Sequence, residues 1–109
     1  MRHVISVLVL ALAVAAPALA DEPIKAATTI KNHRFSPAEI HVQSGKPILL
    51  TINNEDATAE EFDSSALKTE KVIAGGGQGV VRLRPLAPGR FPFMGEYHPE
   101  TAQGVVIAQ

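Results

Sequence analysis

The sequence contains no cysteine. This absence excludes disulfide bonds, thiolate metal ligands and cysteine nucleophiles. Basic residues are not in excess either, since ten Lys plus Arg face eleven Asp plus Glu and give a formal net charge of −1. Proteins that bind nucleic acid normally carry a basic patch, so this charge balance argues against nucleic acid as a partner.

A single long apolar run is present, and it lies near the N-terminus. It covers residues 4–17 and leads into the small-x-small triplet Ala18-Leu19-Ala20. This pattern is typical of a secretory signal peptide, and the run is shorter than the roughly 20 residues that a membrane-spanning helix needs. We therefore expect a signal peptide over residues 1–20, cleaved before one exported domain at 21–109 that has no transmembrane segment. An uncleaved anchor is the alternative.

Short β-branched segments separated by turn formers run through the rest of the chain. They predict strands over residues 26–30, 39–43, 48–53, 71–74, 79–86, 90–93 and 104–108. The acidic stretch 54–63 predicts a loop that leads into a further short strand. One helical turn is predicted at 64–68, with Asp63 or Ser64 as its cap. Seven or eight short strands with at most a short helical turn predict an all-β fold, either a β-sandwich or a Greek-key barrel.

Alternation within these strands predicts which residues form the core. In the segment 39–43, Ile40 and Val42 point to one face, so His41 is expected to face solvent. Arg82 and Arg84 are placed on the solvent side of their strand by the same reasoning. The predicted core consists of Phe35, Ile40, Val42, Leu50, Ile52, Phe62, Leu83, Phe91, Phe93, Val106 and Ile107.

Two segments concentrate side chains that bind metals, Glu60-Glu61-Phe62-Asp63 and the closing stretch 94–100. In a strand, Glu61 and Asp63 face one side while Glu60 faces the other. If the chain from 93 to 98 stays extended, Met94, Glu96 and His98 share a face and offer soft, hard and borderline donors. The two segments therefore predict a metal site. Solvated surface charge is the alternative for the carboxylates, and a core position is the alternative for Met94.

Other features are less specific. His33 lies in a bend and is a further ligand candidate, although no second donor lies near it in sequence. The glycines at 75–77 lack the strand, lysine and helix of a phosphate-binding loop and predict a flexible turn. No arrangement of serine, histidine and acid stands out for nucleophilic catalysis.

Several motifs carry a resemblance to a known family. The segments Phe35-Ser36-Pro37-Ala38-Glu39-Ile40, Gly45-Lys46-Pro47, Asn53-Asn54-Glu55-Asp56 and 91–105 resemble the cupredoxin-like family. The resemblance spans nearly all of the predicted exported domain. That family is a Greek-key β-sandwich, so this is the fold that the resemblance implies.

Blue-copper members of that family take one histidine from the loop after the Asn-rich strand end. A cysteine, a second histidine and often a methionine come from the closing loop. The resemblance places the first histidine position at or next to Glu60, the cysteine position at Gly95, the second histidine at His98 and the methionine position near Gln103. Because the thiolate has no substitute here, a type 1 copper centre is excluded.

A narrower resemblance rests on the segments 60–64, 70–73 and 95–102. They are similar to cysteine-less cupredoxin-like proteins associated with bacterial periplasmic ferrous-iron uptake. The resemblance implies a periplasmic protein that binds a copper or iron ion, with oxidation of Fe(II) before transport as an associated activity. It also implies a periplasmic iron-binding protein and an inner-membrane iron permease as partners.

The metal ligands carried over from this narrower resemblance are Glu60, Glu61, Met94, Glu96 and His98, while Asp63 and Glu100 match more weakly. Whether the protein is an enzyme is left open. One alternative is a non-catalytic metal chaperone or scavenger. Another is a metal-free β-sandwich that acts as an interaction module.

Overall fold

The computed structural model describes residues 3–11 and 22–109. Residues 3–11 are exposed and have no regular secondary structure. The predicted cleavage position after Ala20 lies outside the described residues. Within the described part of the chain, no helix has the length and apolar character needed to span a membrane.

Regular structure in the described residues consists of nine β-strands. They are β1 (Ile24–Lys31), β2 (Arg34–Ser36), β3 (Glu39–Val42), β4 (Ile48–Asn54), β5 (Glu60–Ser64), β6 (Thr69–Ile73), β7 (Gln78–Leu83), β8 (Gly89–Gly95) and β9 (Gln103–Ala108). The first sheet has the order β2-β1-β4-β7, and the second has the order β3-β9-β8-β5-β6. This architecture confirms the predicted all-β sandwich.

The structure has more strands than the predicted seven or eight because the first bend contains a strand of its own. Asn32 and His33 adopt positive φ angles of 52° and 57° and join β1 to β2 in an antiparallel hairpin. A two-residue hairpin turn requires positive φ at both positions when it is of type I′. The segment predicted as a bend is therefore a tight turn followed by β2.

The predicted helical turn after β5 is a hydrogen-bonded turn at residues 65–68. Ser64 Oγ accepts a hydrogen bond from the Leu67 N–H at 2.9 Å, and the Ser65 carbonyl accepts one from the Lys68 N–H at 3.3 Å. Ser64 therefore caps this turn as predicted. The turn does not continue into a helix, because Lys68 takes a positive φ of 56° and leads into β6.

The core lies between the two sheets and contains nearly all the residues predicted for it. Phe91 and Ile107 are the exceptions, since both are only half-buried. Three aromatic rings join the sheets: Phe35 lies 4.9 Å from Phe93 and 6.1 Å from Phe62 between ring centroids. Further buried residues that the sequence did not predict are Ile30, Ile48, Leu67, Ile73, Val81, Leu86, Ala102 and Ala108.

Candidate metal centre

Strand alternation in β5 places one glutamate inside the sandwich and the next one outside. Glu60, Phe62 and Ser64 are buried, while Glu61 and Asp63 between them are half-buried on the outer face. Among the described residues, Glu60 is the one Asp, Glu, Lys or Arg in the buried class, with 1% of its surface exposed. A buried carboxylate is costly unless hydrogen-bond donors surround it. The predicted division of this segment between two faces is confirmed.

Glu60 has donors for both carboxylate oxygens. Oε1 accepts hydrogen bonds from the backbone N–H of Glu61 at 3.0 Å and of Tyr97 at 2.8 Å. Oε2 lies 2.5 Å from Nδ1 of His98. These contacts come from β5 itself and from the closing loop, so the carboxylate joins the end of β5 to the turn that follows β8. We call Glu60 and His98 the inner pair.

The closing loop turns back on itself immediately after β8. The Gly95 carbonyl accepts a hydrogen bond from the His98 N–H at 3.0 Å, and the His98 carbonyl accepts one from the Ala102 N–H at 2.8 Å. The prediction that Met94, Glu96 and His98 share one face required an extended chain through residue 98. That condition is wrong because the strand ends at Gly95, and the turn directs His98 towards Glu60.

Gly95 leaves the space that the Glu60 carboxyl group fills. A Cβ atom at this position would lie 2.6 Å from Glu60 Cδ and 2.7 Å from Ala102 Cβ. Heavy atoms of this kind do not approach so closely without displacement, so a larger residue at 95 would require Glu60 to move. The position that the resemblance assigned to the cysteine is therefore tied sterically to Glu60.

His33 brings a second imidazole to the inner pair. Its ring stacks on that of His98, with centroids 3.4 Å apart and ring planes 9° apart. The two histidines come from different sheets, since His33 lies in the β1–β2 turn and His98 in the loop between β8 and β9. Sequence reasoning had no second donor to pair with His33, because the partner lies in the closing loop at the far end of the chain.

Asp56 holds the turn that carries His33. Its Oδ1 accepts the Asn32 N–H at 2.7 Å and its Oδ2 accepts the His33 N–H at 2.9 Å. The hydrogen bond from the His33 N–H, more than any other contact, lowers the pKa of Asp56 below its ordinary value of 3.8. Asp56 was not among the predicted site residues, and nothing in its local sequence indicates this role.

An open cleft lies beside the stacked rings. Its volume is about 410 Å³, and the residues that line it are His33, Tyr97, His98, Pro99, Glu100 and Thr101. The His98 side chain is 28% exposed. Glu100, a weaker candidate from the sequence, lies on this cleft. The imidazole of His98 therefore contacts a buried carboxylate on one side and is open to solvent on the other.

The remaining predicted ligands lie on the outer face of the second sheet. Glu61, Glu70 and Glu96, which we call the outer cluster, each place a carboxylate oxygen within 4.8 Å of the other two. Loss of solvation raises the pKa of Glu61, and the neighbouring charges of Glu96 and Glu70 raise it further. The structure therefore brings Glu61 and Glu96 together, in a group separate from the inner pair.

Met94 lies on the outer face as well. It is opposite Asp63 in the β5–β8 register, is 42% exposed and borders a pocket of about 150 Å³ with Asp63. The five predicted ligands are thus divided into the inner pair, two members of the outer cluster and an exposed methionine next to Asp63. A single group containing all five does not form.

The inner pair fits a metal ion bound by imidazole but not a type 1 copper centre. A thiolate is absent from the sequence, and Glu60 occupies the side-chain space at Gly95. Glu60 is not among the residues that line the cleft, and its oxygens contact the backbone and His98 Nδ1, so its carboxylate orients His98. Nδ1 of His98 is engaged by that carboxylate, whereas Nε2 has no hydrogen-bond partner among the described residues. This arrangement is the common one around a metal-binding histidine.

Comparison with known proteins identifies the class of this β-sandwich. Residues 4–108 match the family model of the cupredoxin-like domain. The chain therefore belongs to the cupredoxin-like family, as its sequence motifs predicted. An uncharacterized protein of Rickettsia prowazekii is 38% identical to it over 87 residues, which cover 80% of this chain and 70% of that protein.

Solved structures agree with this assignment of the fold. The metal-binding domain of the Streptococcus pneumoniae Cu(I)-exporting P-type ATPase CopA, solved with Cu(I), gives a TM-score of 0.65 at 19% identity and covers 81% of this chain and 96% of that one. Reduced auracyanin from Roseiflexus castenholzii gives 0.63 at 15% identity, covering 78% and 96%. A purple cupredoxin from Nitrosopumilus maritimus gives 0.60 at 16% identity, covering 77% and 99%.

Proposed function

We propose that this protein is a periplasmic metal-binding cupredoxin-like protein in which His98 binds a copper or iron ion through Nε2. The observation that carries the proposal is the 2.5 Å contact between His98 Nδ1 and the buried Glu60 carboxylate. A carboxylate in that position fixes the histidine tautomer and directs the other ring nitrogen towards the metal. The periplasmic location rests on the N-terminal signal-peptide pattern.

Copper is the ion that the donor chemistry favours. Imidazole binds both copper and iron, but Cu(II) has the highest affinity for nitrogen and oxygen sites among the divalent first-row metals. The similar ATPase domain contains Cu(I), which supports the same choice. When bound, a copper or iron ion would supply a one-electron redox couple at the cleft.

The residues around the ion-binding imidazole keep it in place. The backbone N–H groups of Glu61 and Tyr97 hold the Glu60 carboxylate, and that carboxylate holds His98. Gly95 leaves room for the carboxyl group. This arrangement is preorganised, because these contacts fix the orientation of the ring through Nδ1 and do not involve Nε2.

We further propose that the protein takes part in ferrous-iron uptake and oxidises Fe(II) before transport. This part of the proposal rests on the sequence resemblance and includes a periplasmic iron-binding protein and an inner-membrane iron permease as partners. Stopped-flow mixing of the Cu(II)-loaded protein with Fe(II) tests the oxidase activity, in which Cu(II) would be the one-electron acceptor. Oxidation no faster than in buffer would reject it, and metal binding without redox activity would favour a chaperone or scavenger.

Glu61, Met94 and Glu96 stay predicted ligands. Because they lie on the outer face, apart from His98, metal binding by them can be tested separately from metal binding by His98. Carboxylate oxygens favour harder ions than imidazole does. If the outer cluster binds the ion, Glu61→Gln and Glu96→Gln will weaken binding while His98→Ala will not. We expect the opposite pattern for Cu(II).

A metal-free interaction module is the second candidate function. The observation in its favour is that every buried side-chain nitrogen and oxygen among the described residues has a hydrogen-bond partner within the protein. A bound ion must raise the stability of the folded state. Thermal unfolding with added Cu(II) therefore separates the two functions, because an unchanged midpoint would favour the metal-free module.

Isothermal titration with Cu(II), Fe(II), Fe(III) and Zn(II) tests the proposed site. We expect His98→Ala to weaken Cu(II) binding at least about 10-fold, the smallest effect typical of losing even an outer-shell partner. His41→Ala is the matched control, because the His41 side chain is 59% exposed on β3. Equal Cu(II) affinity in wild type and His98→Ala would contradict the proposal.

A further inference from the structure

Two imidazoles from opposite sheets meet at the cleft. His33 in the β1–β2 turn stacks on His98 at a centroid distance of 3.4 Å. Both rings border the cleft of about 410 Å³. Imidazole nitrogen is a good ligand for copper, zinc and iron, so the position of His33 next to a metal-binding His98 has a chemical consequence.

The chain holds the His33 turn with a series of specific contacts. Asp56 accepts the N–H groups of Asn32 and His33, and both of those residues have positive φ. Asp56 is itself fixed, because the side-chain oxygen of Asn54 accepts its N–H at 3.0 Å and its carbonyl accepts the Gly76 N–H at 2.9 Å. The β4–β5 loop thus connects a buried asparagine, 2% exposed, to the turn that carries His33.

We propose that His33 is a second imidazole ligand of the ion bound at His98, and that Asp56 is the residue that positions it. This inference rests on the proposed metal-binding function. It adds to that function a ligand from the first sheet, so that the bound ion would link the two sheets of the sandwich.

Binding requires the stacked rings to separate. The lone pair of an imidazole nitrogen lies in the plane of its ring, and the two planes are only 9° from parallel. One ion cannot lie in both planes while they remain parallel. The His33 side chain must therefore rotate about its Cα–Cβ bond, and the open cleft beside it provides the room.

A structural role for the stack makes a different prediction from a ligand role. Any aromatic ring at position 33 can stack on His98, but only a histidine offers a nitrogen to the ion. His33→Phe therefore keeps the stack and removes the donor, while His33→Ala removes both. The pair of variants separates the two roles even if one of them lowers stability.

Electron paramagnetic resonance of the protein loaded with Cu(II) alone provides the test, together with Cu(II) affinity from titration. We expect nitrogen hyperfine splitting from two imidazoles in wild type and in His41→Ala. We expect splitting from one imidazole in both His33→Phe and His33→Ala, with affinity weaker by at least about 10-fold. Asp56→Asn, which loses one of its two acceptor atoms, should weaken Cu(II) binding less than either His33 variant.

The results that overturn the inference are distinct from those that overturn the proposed function. A wild-type spectrum with one nitrogen, or a His33→Phe protein equal to wild type in spectrum and affinity, would show that His33 is not a ligand. If His98→Ala still lowered affinity in that case, the His98 site would stand. If His98→Ala also matched wild type, the proposed metal site would fail as well.

Discussion

Glu60 and Glu61 are adjacent in sequence and lie in opposite environments. Glu60 is buried and has three hydrogen-bond donors, whereas Glu61 lies on the outer face next to two other glutamates. A carboxylate is thus stabilised by hydrogen-bond donors on one side of β5 and repelled by neighbouring carboxylates on the other. The comparison indicates that the surroundings of a carboxylate, rather than its presence, decide whether it belongs to a preorganised site.

The largest expected effect comes from breaking the inner pair. Glu60→Ala leaves two backbone N–H groups and the His98 ring without their acceptor and opens a cavity next to Gly95. We expect a loss of about 3 kcal/mol in the free energy of unfolding, as when one partner of a buried pair is removed. Urea denaturation measures this, with Glu61→Ala as the control. Equal losses in the two variants would show that the two environments do not differ in stability.

A smaller effect is expected from filling the space at Gly95. A Cβ atom there would lie 2.6 Å from Glu60 Cδ, so Gly95→Ala should cost about 2 kcal/mol through overpacking. The cost should be lower in a Glu60→Ala background, because the overlapping carboxyl group is then absent. Some cost should remain in that background, because a Cβ atom at position 95 would also lie 2.7 Å from Ala102 Cβ.

Urea denaturation of the four proteins in this double-mutant cycle gives the coupling between positions 60 and 95. The same cycle with Glu61→Ala in place of Glu60→Ala is the control and should be additive. Additivity in both cycles would mean that Glu60 does not occupy the space beside Gly95.

The smallest effect is expected on the outer face. The pKa of Glu61 is raised above its ordinary value of 4.5, so the folded state binds this proton more tightly than the unfolded state. Ionisation therefore lowers stability as the pH rises above that value, and the penalty is absent below it. Glu61→Gln should raise the melting temperature near pH 7 and leave it unchanged near pH 3.5. Glu55→Gln, at an exposed glutamate outside the outer cluster, is the control for removing one negative charge, and an equal rise in both variants would contradict the prediction.

Much of the fold and half of the inner pair follow from local patterns. Alternation along β5 is enough to place Glu60 on the side of Phe62 and Glu61 on the other side. The family resemblance singled out His98 and Gly95. Apolar periodicity likewise predicted nine of the 17 buried hydrophobic residues, because each strand has one face against the other sheet.

The rest of the site depends on contacts that local sequence does not encode. His98 points inward because the chain turns after Gly95, and an extended chain would have placed it differently. His33 reaches His98 only because a tight hairpin in the first sheet lies against the closing loop of the second. The Asp56 carboxylate holds that hairpin by accepting the backbone N–H groups of Asn32 and His33. Every residue except proline has such an N–H group, so the sequence does not indicate this contact.

The most direct test of the account compares Cu(II) affinity in Glu60→Gln and Glu61→Gln. The amide in Glu60→Gln keeps the size of the side chain but replaces one of the two acceptor oxygens with an NH2 donor. It therefore cannot accept hydrogen bonds from both the backbone N–H groups and His98 Nδ1, and the ring loses the carboxylate that fixes its tautomer. We expect Glu60→Gln to weaken Cu(II) binding about 10- to 100-fold and Glu61→Gln to leave it unchanged. Full affinity in Glu60→Gln together with a loss in Glu61→Gln would contradict the account and place the ion at the outer cluster.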